Sequence, residues 1–211
     1  LHIFSDASEV GYGAVAYLRF TFKDNIKLSF IVAKSLVTPN KRVRTIPELE
    51  LQSAVIGFRL SKSIREELRF TIDQVTFWTD SRVVLTWLNS STGRPKVFVA
   101  NRIGEILEGS EAIQWRHVPG KMNPADDCSR GLLPSELSIE HRWFNGPEFL
   151  HLTEDVWPTP FSMGSNDIVV SVKVQSKNHQ LSELIKKCSS LKRLTRTVAW
   201  VQRAIKYFRL N

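Results

Sequence analysis

The feature that most constrains this chain is a pair of matched strand ends. One apolar run, His2-Ile3-Phe4, closes on Asp6 in FSDAS, and a second, Gln74 to Thr79 (QVTFWT), closes on Asp80 in FWTDS. Each aspartate follows aromatic or β-branched residues and precedes a small one. Sites in α/β sheets form at the carboxyl ends of strands, so two parallel neighbouring strands would bring Asp6 and Asp80 to one edge. Carboxylates held together and out of water repel, and their pKa rises. A divalent cation removes that penalty, and Mg²⁺ favours one or two carboxylates completed by water and substrate phosphate. A lone strand-end aspartate has a simpler explanation, because Asp80-Ser81 also suits the start of a helix. The matched pair is what points to a site.

The rest of the chain supplies a frame for such an edge. Residues 11–20 are aromatic and β-branched, and Lys27 to Ala33 is a third strand after the turn signal Asp24-Asn25. Pro47 suits a first helical position, and Leu51, Val55, Phe58 and Leu68 recur with roughly helical spacing. Ser81 caps a helix over 83–88, residues 97–108 form another, and Ala112 to Val118 is a last strand before Pro119-Gly120. The order β-β-β-α-β-α-α-β predicts a three-layer α/β domain with a mixed sheet over residues 1–131. Residues 132–178 predict an extended Trp- and Pro-containing segment and a linker. Residues 179–211 predict a basic amphipathic helical region, with Leu191, Leu194, Val198, Val201, Ile205 and Phe208 three or four apart. The simplest use of that helix is to pack one face and solvate the other; binding a partner or nucleic acid is the alternative.

Charge and cysteine content narrow the class. Lys and Arg outnumber Asp and Glu by 29 to 21, a net charge of +8, which favours a polyanionic partner. Cys128 and Cys188 are the only cysteines and have no metal-site spacing. Neither a signal peptide nor a run of about 18 apolar residues is present, so no membrane association is expected and an intracellular location is. The opening on strand-like residues without Met reads as a cut from a longer polyprotein or gene model.

Two further acidic pairs need sorting. Glu48 and Glu50 stand two apart, so they face nearly opposite sides of a helix. Glu48 lies in the first turn, where a carboxylate favours the helix dipole. Glu50 shares its face with Ser53, Ala54 and Gly57, small residues that let a helix approach a sheet, so Glu50 is preferred for chemistry, with Glu48 as the alternative. In MNPADDCSRG, Asp126 is the preferred ligand, and Asp127 is read as a solvated or helix-start neighbour, with a ligand role as its alternative. His117 and Cys128 are eleven apart, a chance-level spacing for a cysteine hydrolase without an accompanying oxyanion-type glycine motif.

Asp6 in SDAS, Glu50 in LELQSA, Asp80 in WTDS and Asp126 in NPAD follow the order of the four acidic residues of type 1 ribonuclease H domains. TIPELEL, FVANRIGEI, WRHVPGKMNPADDCSRG and WFNGPEFL resemble the stretches after reverse transcriptase in BEL/Pao-class LTR retrotransposon Pol polyproteins. LKRLTRTVAWVQRAI resembles the connector toward integrase. The resemblance implies an RNase H-like fold with a mixed five-stranded sheet and a C-terminal helical extension. It implies an endonuclease that cuts the RNA strand of RNA–DNA hybrids during reverse transcription, in a cytoplasmic virus-like particle or the nucleus. Reverse transcriptase and integrase regions of the same polyprotein would be its neighbours.

It further implies two Mg²⁺ ions, or Mn²⁺, about 4 Å apart at the scissile phosphate. Asp6 would bridge both, Glu50 and Asp80 would hold the one nearer the leaving group, and Asp126 the one that activates water. The hybrid would be held through phosphates and 2′-OH groups. Candidate contacts are Arg42, Arg44, Arg82, Arg94, Lys96, Arg102 and Lys121, with Asn101 and Gln52. Many relatives carry a His in the loop before the last Asp. Here that loop is VPGKMNPAD, with Lys121 at the corresponding position, and His117 earlier is read as packing or hydrogen-bonding in its strand. The missing His leaves a second expectation, a catalytically silent scaffold or connector between polymerase and integrase.

Overall fold

The computed structural model describes residues 1–23, 25–38, 44–90, 95–159 and 161. The helix expected at 179–211, Cys188, Arg42 and Arg94 lie outside them. Five strands form one sheet in the order β3-β2-β1-β4-β5. β1 (His2–Ala7), β2 (Gly11–Phe22) and β3 (Asn25–Val37) are an antiparallel meander. β4 (Thr76–Thr79) and β5 (Trp115–His117) add in parallel on the other side of β1. This is the mixed five-stranded sheet expected from the sequence. Ser5 pairs with Thr79, so Asp6 and Asp80 leave neighbouring parallel strands at the same end.

Alternation along β1 divides the chemistry of the two faces. Ile3 and Ser5 face α1 (Ile46–Glu67), beside Ala14, and this face is lined by small residues. A Cβ on Gly57 would stand 2.9 Å from Ile3 Cγ2 and 3.5 Å from Ala14 Cβ. The stripe Ser53, Ala54 and Gly57 is buried, which lets α1 settle closely on the sheet. α3 (Val97–Leu107) lies beside α1, tied by the Arg59–Glu105 fork at 2.5 and 2.9 Å, while α2 (Arg82–Asn89) packs near β4 and β5.

The opposite face is aromatic. Phe4 and Trp78 stack with ring centres 5.8 Å apart, and Tyr17 meets Phe4 edge-on. α4 (Asp126–Arg130) covers the end of this face nearest Asp6. Gly11 and Gly13 on β2 make room for it, since a Cβ at Gly11 would lie 3.0 Å from Ser129 O and one at Gly13 would lie 3.2 Å from Cys128 Cβ.

Residues 132–157 then cross the aromatic face. They carry short helical turns, including α5 (Arg142–Asn145), where an extended segment was expected. Phe149, Leu150 and Trp157 join Phe4, Tyr17 and Trp78 in one buried cluster. Tyr17 Oη donates to Trp143 O at 2.9 Å, and Arg19 donates to Leu150 O and Leu152 O at 2.9 and 3.0 Å. Carbonyls that this irregular backbone leaves unpaired thus find donors on β2.

The largest departures from expected length are in β3 and β5. β3 runs to Val37 rather than Ala33, because β2 offers a backbone partner along the whole edge even where Lys34 and Ser35 break the apolar run. β5 is only Trp115–His117. Ala112–Gln114 is a single 3₁₀ turn instead of strand, because Gln114 turns its side chain onto the Glu111 amide and the Val75 carbonyl. Among the described residues no helix is long and apolar enough to cross a membrane.

Phe149→Ala empties a buried ring position beside Trp78. It should cost about 3–5 kcal/mol of folding stability, read as a shift in the urea midpoint without loss of the sheet's circular dichroism.

Candidate active site

Four elements deliver one carboxylate each to the end of the sheet. Asp6 ends β1, Asp80 follows β4, Glu50 rises from the first turns of α1 and Asp126 opens α4. Asp6 is buried, and its Oδ2 accepts from the Ser129 hydroxyl. Burial and the nearby Asp80 and Asp126 charges push its carboxyl up to about 7, against the opposing Ser129 bond. Asp6 and Asp80 are within hydrogen-bonding reach of each other, with the proton favoured on Asp6. Burial raises Asp80 too, aided by the Glu50 charge. Glu50 is raised by burial and by Asp6, while a 2.6 Å bond from the Ser81 hydroxyl opposes the rise. Ser81 also caps α2 by accepting from Val84 N at 3.2 Å.

Glu48 turns away from this group. Its Oε2 accepts from Thr45 N at 3.1 Å, and its Oε1 lies 3.9 Å from Lys96 Nζ. The structure therefore brings Glu50, and not Glu48, to Asp6 and Asp80. Asp126 is also brought in, with Oδ1 held by Arg130 one turn later. Asp127 stands in the first turn of α4, as the helix-start reading had it, but it is not solvated. Its carboxylate is 6% exposed and is gripped at both oxygens by Arg142 at 2.6 and 3.0 Å. An arginine from a later segment turned it inward, and the local acidic pattern gave no sign of that.

The loop between β5 and α4 is tied to β1. Asn123, fully buried, donates to Ser5 O at 3.1 Å and accepts from Ala125 N at 3.1 Å. It thereby fixes Asp126 against the strand that carries Asp6. Gly120 lies where a Cβ would stand 3.1 Å from Asp80 Oδ2. His117 interacts with the Asp80 backbone, and burial followed by the Arg82 charge holds its pKa down, so it is neutral at neutral pH. Cys128 is half-buried, and burial pushes its thiol up to about 12, which removes the thiolate a nucleophile needs.

The expected nucleic-acid contacts fall in two places. Arg44 and Arg102 both stack on the Phe98 ring, at 4.0 and 3.7 Å, and Arg102 Nε donates to Gln52 at 3.1 Å. Lys96 precedes α3, and Asn101 is exposed on it. Arg82 is exposed beside His117, and Lys121 is exposed on the loop before Asn123.

Sequence reasoning missed Asn123, Ser129 and Arg142 as builders of the site. Ser129 had a signal, because a residue three after Asp126 shares its helix face. Arg142 had none, since it stands in a stretch without periodicity.

A divalent cation suits this donor set. The donors are all hard carboxylate oxygens, and Asp80 Oδ1 is buried without a hydrogen-bond partner. Among the described residues no group of three or more His, Cys, Asp or Glu side chains is placed so that it could hold a metal ion as it stands. Three of the carboxylates instead rest on Ser129, Ser81 and Arg130, contacts that side-chain rotation can exchange.

The strand order β3-β2-β1-β4-β5, three antiparallel strands with two parallel ones added, is that of the expected RNase H-like fold. Residues 1–81 match the family model of the Pao retrotransposon-like RNaseH-like domain. No curated protein matches the chain. Three solved structures are similar to it. One is the N-terminal RNase H domain of Rv2228c from Mycobacterium tuberculosis, fused to maltose-binding protein, at 12% identity, 61% of this chain, 89% of that one and a TM-score of 0.44. Another is RNase H1 from Halobacterium salinarum, at 12% identity, 61% of this chain, 92% of that one and 0.40. The third is LC11-RNase H1 in complex with an RNA/DNA hybrid, at 13% identity, 65% of this chain, 97% of that one and 0.43. Likenesses at this level transfer no residue role to this chain.

The raised carboxyl of Asp6 makes the metal-free protein pH-sensitive. Its folded pKa of about 7 lies above the ordinary 3.8, so its contribution to stability is full below pH 4 and is lost as pH rises through 7. Asp6→Asn removes that loss. Between pH 5 and pH 8 in EDTA, its stability relative to wild type should rise by on the order of 1–3 kcal/mol, read by chemical denaturation.

Proposed function

We propose that this chain is a divalent-metal-dependent endonuclease that cuts the RNA strand of an RNA–DNA hybrid. The single observation that supports it most is Asp80 Oδ1, a buried carboxylate oxygen with no partner, set beside the raised carboxyls of Asp6 and Glu50. An unpartnered buried carboxylate among other carboxylates costs stability, and a fold retains that cost most readily where a cation later offsets it.

Asp6, Glu50, Asp80 and Asp126 are the proposed ligands of Mg²⁺ or Mn²⁺. Two such ions would supply a nucleophile at neutral pH and neutralise charge on the scissile phosphate. The chain's residues orient the rest. Asn123 sets the height of Asp126 against β1, Ser81 and Ser129 hold Glu50 and Asp6 until their oxygens are needed, and neutral His117 braces the Asp80 backbone. Arg82, Lys96, Asn101, Arg102 and Lys121 are the proposed contacts to the hybrid backbone. Lys and Arg contacts of that kind make binding fall with salt. The reading places the domain between the reverse transcriptase and integrase regions of one polyprotein, inside the cell.

A labelled hybrid with Mg²⁺ or Mn²⁺ tests it. Asp80→Asn should fold, since it removes a destabilising charge, and should cut slower by about 10²-fold or more, the scale of losing one charge-stabilising group in a site. A wild type no faster than Asp80→Asn would leave the domain a silent scaffold.

A further inference from the structure

We propose that Arg142 is a positioning residue for the carboxylate Asp126, so that a segment beyond the sheet completes the metal site. The inference rests on the nuclease reading. A guanidinium offers five donors in a fixed planar fork, and this one uses all three nitrogens. Nε and Nη2 hold both oxygens of Asp127 at 3.0 and 2.6 Å, and Nη1 donates to Lys121 O at 2.8 Å. Those two anchors bracket Asp126 in the chain, Lys121 before it and Asp127 just after it. One rigid group therefore pins both ends of the loop whose middle Asn123 ties to Ser5 O.

Nη2 also lies 3.9 Å from Asp126 Oδ2. That is too far for a hydrogen bond but close enough for its charge to steer the carboxylate. Arg130 cannot do the same work. It sits on the same helix as Asp126, is exposed, and moves with the helix it would have to place. A lysine at position 142 would bring a point charge that cannot span carboxylate and carbonyl in one plane. Arg142 is itself held by the polar ties of its own segment to β2, where Tyr17 Oη donates to Trp143 O. The placement of Asp126 thus depends on backbone outside the sheet and its helices.

The test separates positioning from plain stability. Mn²⁺ binding is measured by isothermal titration calorimetry without nucleic acid, beside an Mg²⁺ titration of hybrid cleavage. The proteins are wild type, Arg142→Met, the double variant Asp127→Leu/Arg142→Met, and Phe149→Ala. Arg142→Met strands a buried carboxylate, whereas the double variant removes both charges and keeps the fold. Both should bind Mn²⁺ about tenfold more weakly, the scale of losing a group that orients a metal ligand. They should need correspondingly more Mg²⁺ for half-maximal cleavage, with KM for the hybrid unchanged. Phe149→Ala should melt earlier yet keep wild-type Mn²⁺ affinity. Wild-type affinity in the double variant, an equal loss in Phe149→Ala, or no Mn²⁺ uptake by the wild type would each overturn the assignment. If the wild type binds Mn²⁺ with the expected order of variants yet leaves the hybrid uncut, only the nuclease reading falls.

Discussion

Repulsion between carboxylates at the end of β1 and β4 is the constraint around which the rest is arranged. Asp6 and Asp80 leave adjacent parallel strands, so the sheet itself fixes their separation and neither can retreat. Without a cation the group is eased locally. A proton is favoured on Asp6, hydroxyls of Ser129 and Ser81 bond Asp6 and Glu50, and Arg130 bonds Asp126. Of these four carboxylates, Asp80 alone keeps a buried oxygen without a hydrogen-bond partner. These contacts are modest individually, so each can be exchanged without dismantling the fold.

The two faces of the sheet serve the site in different ways. Small residues on one face let α1 come close, which carries Glu50 to the strand ends. Large rings on the other face need a cover, and α4 with the segment to Trp157 provides it. That cover carries the Arg142 fork, so covering the aromatic core and fixing the Asp126 loop are tasks of one stretch of chain.

Much of this was legible in the sequence, for identifiable reasons. Strand-end aspartates in FSDAS and FWTDS are local patterns, and the run of elements predicted a mixed sheet. Glu50 could be separated from Glu48 because helical geometry puts them on opposite sides and only one shares a face with small residues. Lengths were less legible. β3 outran its apolar pattern because an edge strand needs only a backbone partner, and β5 shrank because Gln114 preferred the backbone to the ladder. Asp127 takes the expected helix-start place but not the solvated one, because its partner, Arg142, is distant in the chain and sits in no periodic element. Tertiary ion pairs of that kind leave no local trace.

The close seat of α1 has a mechanical consequence. Gly57 stands two turns along the same helix face from Glu50, and Ile3 beneath it is buried and cannot yield freely. A helix is stiff over such a length, so any bulk added at Gly57 would tilt the whole rod rather than dent it locally. The gap beneath one glycine thus acts as a gauge block, setting how far a carboxylate two turns away can reach.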